Sequence, residues 1–179
     1  MRSGYLEVLD KDAIDNTIER VDLLKDWWIP RGIYCGEGGF TASEENPVDF
    51  YTLGVATYID GITDIQYYYD YIKSQNPVFK DYFSWLYDLV IYNLWGEIGE
   101  CQVADFLAYP GFHIFGTKPN EPPKMATKMY MEQPSATIHV DLQHEQHEFL
   151  WSHFKEVDLE NTLSFTLPIQ VPTNGGGLN

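Results

Sequence analysis

The apolar periodicity of this chain changes once, near Gly99, and that change limits the folds open to it. Before Gly99, apolar residues recur at spacings of three and four. "DKDAIDNTIERVDLLKDWW" sets Ile14, Ile18, Val21, Leu24 and Trp28 on one stripe. That spacing predicts an amphipathic helix, capped by Asp10 or Asp12 and ended by Pro30. The glycine-rich "CGEGGFTASEENP" reads as a loop. "FYTLGVATY" predicts a short helix, "ITDIQYYYDYIKSQN" a second, and "PVFKDYFSWLYDLVIYNLWG" a third with Pro77 in its first turn. Phe79, Phe83, Leu86, Val90 and Leu94 share one face of the third. Tyr67, Tyr68, Tyr69 and Tyr71 are expected to pack, with their hydroxyls at the surface.

After Gly99 the apolar runs become short, β-branched and aromatic, and Pro and Gly break them. "CQVADFLAY", "GFHIFG", "SATIHVDL" and "LSFTLPIQV" read as strands. Helical runs followed by strand runs predict an α+β fold, with helices packed on an antiparallel layer. The expected organisation is a single domain over 1–179, with a mainly helical half (1–98) and a strand half (99–179). A hydrophobic fraction of 44% over 179 residues is enough for a sizeable core.

Charge narrows the partners. Asp and Glu number 27 against 11 Lys and Arg, a formal charge of −16. Such a field repels nucleic acid and anionic membrane, so neither is an expected partner. Cys35 and Cys101 form no CxxC pair and too few sites for a disulfide framework. The first residues carry acidic groups and no apolar h-region, and no apolar run reaches the roughly 18 residues of a membrane span. A cytoplasmic protein is expected.

The chemistry-bearing stretch is "PSATIHVDLQHEQHEF", residues 134–149. In a strand, positions i and i+2 face the same way, so His139 and Asp141 would point together and Val140 away. An HxD pair of this kind often supplies two ligands of a 2-His-1-carboxylate triad, which leaves positions open on Fe(II). Downstream, the apolar "LSFTLPIQV" leads into a turn at Gly175, Gly176 and Gly177.

On these residues the chain resembles the 2-oxoglutarate/Fe(II)-dependent oxygenase superfamily. It is most similar to a bacterial branch with the blocks "FYTLGVATYID", "YPGFHIFG", "IHVDLQH" and "LSFTLPIQVP…GGGLN", which occur here in that order across most of 47–179. The resemblance implies a double-stranded β-helix (jelly-roll) core, Fe(II) and 2-oxoglutarate as cofactors, and His139 and Asp141 as metal ligands. It also implies a distal histidine, followed by a basic residue that binds the far carboxylate of 2-oxoglutarate. Neither has a counterpart here: His153 is the last histidine, and Arg2, Arg20 and Arg31 all lie in the first half. The chain is therefore expected to be the front portion of such an oxygenase, weak or inactive as a catalyst. An incomplete barrel would leave a strand edge along "LSFTLPIQV" through which copies self-associate.

Other residues keep alternatives open. His144 and His147 could join His139 and Asp141 in a self-contained cupin-like metal site, or belong to a polar loop. A third reading is a non-catalytic jelly-roll binding protein. His113, on the "GFHIFG" strand with Phe112 and Ile114 facing the other way, would either line the metal pocket or sit buried against a backbone group. Tyr109 is a further pocket candidate. The expected substrate is a small molecule, an amino acid or a peptide. The "CGEGGF" loop lacks the lysine and spacing of a phosphate cradle, and no serine or threonine sits in a nucleophile elbow.

Overall fold

The computed structural model describes residues 6–31, 49–60, 65–101, 104, 106–116, 120–122, 151–158 and 165–171. Among these, helix α1 (Lys11–Leu23) leads through a 3-10 turn (Lys25–Trp27) into strand β1 (Ile29–Pro30). Strand β2 (Phe50–Leu53), a short helix α2 (Thr57–Asp60), the long helix α3 (Ile65–Ile98) and strand β3 (Phe112–Phe115) follow. The three strands form one antiparallel sheet in the order β1-β2-β3. The mixture of helices and a small antiparallel sheet agrees with an α+β class.

Helix α1 starts where the sequence predicts. The Asp10 carboxylate accepts the Ala13 N–H at 2.9 Å, satisfying one of the donors that a helix start leaves over. The helix ends at Leu23, earlier than Pro30 would require, because the chain tightens into the 3-10 turn. Arg20 ties it to α3: Nε donates to Asn16 Oδ1, Nη1 donates to the Tyr82 carbonyl at 2.8 Å, and the guanidinium lies over the Trp85 ring.

"FYTLGVATY" is not one short helix. Its front is strand β2, and helix begins only at Thr57. All four β2 residues are buried, so the strand shows none of the in–out alternation that marks a half-exposed one. The sheet thus draws two of its strands, β1 and β2, from the half expected to be helical. The two helices expected on either side of Pro77 are a single 34-residue helix. Pro77 lies on its exposed side, where the missing N–H leaves the Lys73 carbonyl to solvent, and the loss of about 3 kcal/mol is offset by the buried face that follows.

That face carries Phe79, Phe83, Leu86 and Val90, all buried, with Leu94 packed at its margin, as the spacing predicts. They meet Tyr51 and Leu53 of β2 and Phe112 and Ile114 of β3 in the main core, which also takes Leu24 and Trp28. Phe83 is fully buried, and its ring lies 4.8 Å from that of Phe112. A smaller cluster joins Val55, Tyr68 and Ile72 to Leu107, Ala108 and Trp151. Here one expectation fails: the Tyr68 hydroxyl is not at the surface but hydrogen-bonded to Thr57 Oγ1 at 3.0 Å, on a side chain 1% exposed. Burial raises its phenol pKa above the ordinary value.

Two other strand expectations also fail on the described residues. Cys101, Ala104 and 106–110 form turn and irregular backbone. Residues 165–171 are not a strand, although Leu167 and Ile169 alternate inward onto the core. Pro168 between them offers no N–H to a ladder. "GFHIFG" does form its strand, and "SATIHVDL" lies outside the described residues. Among the described residues, no helix is long and apolar enough to cross a membrane.

Candidate functional site

The four metal-ligand candidates, His139, Asp141, His144 and His147, lie outside the described residues. Within them no group of three or more His, Cys, Asp or Glu could hold a metal ion. His113 and Tyr109 are described, and the structure sends them to different surroundings.

Helix α3 fixes the approach to β3. Asn76 uses both ends of its amide, donating to the Leu107 carbonyl at 2.9 Å and accepting the Tyr109 N–H at 3.1 Å. The Tyr87 hydroxyl donates to the Pro110 carbonyl at 2.6 Å, and the Tyr109 ring stacks on Tyr87 at 4.9 Å. Tyr109 therefore packs against the helix. Gly111 then passes so close to β2 that a Cβ would lie 2.6 Å from the Leu53 carbonyl oxygen. Only glycine permits that approach. Gly54 is constrained differently, with φ of +88° and the Phe79 ring against it.

Held in this way, β3 pairs Phe112 with Leu53 and His113 with Thr52. Phe112 and Ile114 enter the core against α3, so alternation sends His113 and Phe115 to the opposite face, as the sequence predicts. The His113 and Phe115 rings both lie parallel to Phe50 of β2, at 6.1 and 4.7 Å.

A polar row crosses this second face. Arg31, directly after β1, donates from its backbone N–H to the Phe50 carbonyl at 2.8 Å. Its Nε donates to Thr52 Oγ1 at 2.9 Å, and its Nη2 donates to both Asp60 oxygens at 2.9 and 3.0 Å. Asp60, the last residue of α2, reaches back to accept the N–H of Ala56, just before the helix, at 2.8 Å. The ion pair is largely sequestered, with side-chain exposures of 13% for Arg31 and 7% for Asp60. Thr52 sits between Arg31 and His113. Partial desolvation, and then the Arg31 charge, hold the His113 imidazole below its ordinary pKa. It is neutral at pH 7, with one ring nitrogen protonated and the other an acceptor.

The sequence marks His113 but not Arg31, Thr52 or Asp60 as partners. They come from three separate segments, and the one signal that could have found Arg31 is the scarcity of arginine, three in the chain. A second aromatic group gathers at the N-terminal end of α3. There the Tyr69 hydroxyl lies 2.8 Å from His153 Nε2, and Phe106 lies against both His153 and Phe154.

No protein-family model matches the chain. No curated protein and no solved structure matches it either.

Proposed function

We propose that this chain is a 2-oxoglutarate/Fe(II)-dependent oxygenase-like protein, a hydroxylase or dioxygenase acting on a small molecule, an amino acid or a peptide. The observation that carries the reading is the His139–Val140–Asp141 spacing within "SATIHVDL", followed by "LSFTLPIQV" and the glycine turn. An imidazole and a carboxylate on one strand face are a donor set suited to Fe(II). The sheet would be part of a double-stranded β-helix, with α3 covering one face. Supporting this, β2 and β3 are antiparallel neighbours, and the face turned away from α3 carries His113 and the Arg31 row rather than apolar side chains alone.

In this reading His139 and Asp141 hold the metal. The bound Fe(II) and 2-oxoglutarate supply the oxygen activation that the protein's own groups cannot. His113, on the sheet face turned away from α3 and stacked beside Phe50, would line the metal pocket in this reading. Phe50 and Phe115 stack beside it and give that side an apolar surface.

The test combines Mn(II) titration with an assay for succinate release under Fe(II), 2-oxoglutarate and oxygen. Weak Mn(II) binding with little or no succinate release is expected, and that binding should be lost in His139→Ala and in Asp141→Ala. Tight metal binding that survives Asp141→Ala but is lost in His147→Ala would replace this reading with the cupin-like site.

A further inference from the structure

We draw no further inference here: the strongest candidate, the exposed stripe of Tyr92, Trp95 and Ile98 along the last turns of α3, is an apolar face for which nothing among the described residues shows what covers it.

Discussion

The two faces of the sheet are made by the same strands and are stabilised in different ways. Toward α3, Tyr51, Leu53, Phe112 and Ile114 meet Phe79, Phe83 and Leu86, and each contact is apolar and largely non-directional. Away from α3, Phe50, Thr52, His113 and Phe115 share their face with the Arg31–Asp60 pair. On the first face every buried side chain contributes by its own area, about 1.5–3 kcal/mol for a large one. On the second, each polar group is tolerable only because its partner is present. A core residue can be removed at a cost that scales with its size, whereas a pair member removed alone leaves a charge stranded.

Phe83→Ala should be the most damaging single change on the α3 side. It removes a fully buried ring from between Phe79 and Phe112 and should cost about 3–5 kcal/mol in urea unfolding. A loss below about 1 kcal/mol would mean that this face is not the main source of stability.

Asp60→Ala probes the other face and should cost about 3 kcal/mol, since the Arg31 charge stays buried without its carboxylate. The contrast sharpens in a double-mutant cycle. Arg31→Met combined with Asp60→Leu should recover most of that loss, because the pair matters chiefly when half of it is missing. Additive losses would remove the distinction between the two faces.

Asp10→Ala, far from both faces, should cost about 1 kcal/mol by leaving the Ala13 N–H without its cap. It gives a baseline for a purely local effect.

The smallest expected effect is a pH dependence from the second face alone. His113 has a folded pKa below its ordinary value of 6.5, so the unfolded chain binds the proton more readily. Its contribution to stability is complete above pH 6.5 and is lost as pH falls from there through the folded pKa. Melting temperatures from pH 7.5 downward should fall less steeply in His113→Gln than in the parent chain, by about the titration of one group. Identical slopes would show that His113 carries no proton linkage.

How much of this was legible in the sequence depended on how local the signal is. The α1 cap, the buried face of α3 and the alternation of β3 all follow from side chains within a few residues of one another. Strand β2 was hidden because both of its faces are covered, which removes the period-two signal, and its apolar spacing then mimics a helix turn. The unbroken α3 was hidden because Pro77 is a local stop signal. The packing of Phe79 and Phe83 on the sheet, and the Asn76 clamp on 107–109, override it. At 165–171 the inward alternation was legible and the absence of a ladder was not, since pairing depends on a neighbour that no local pattern names.

The candidate site divides in the same way. The sequence by itself determined His113, its orientation away from Phe112 and Ile114, and the HxD spacing that motivates the oxygenase proposal. Only the tertiary structure decided that Arg31, Thr52 and Asp60 stand beside His113. The reason is physical: a charge such as Arg31 looks in sequence like any solvated one, and becomes a positioned donor only when strand pairing and burial bring a distant carboxylate within 2.9 Å.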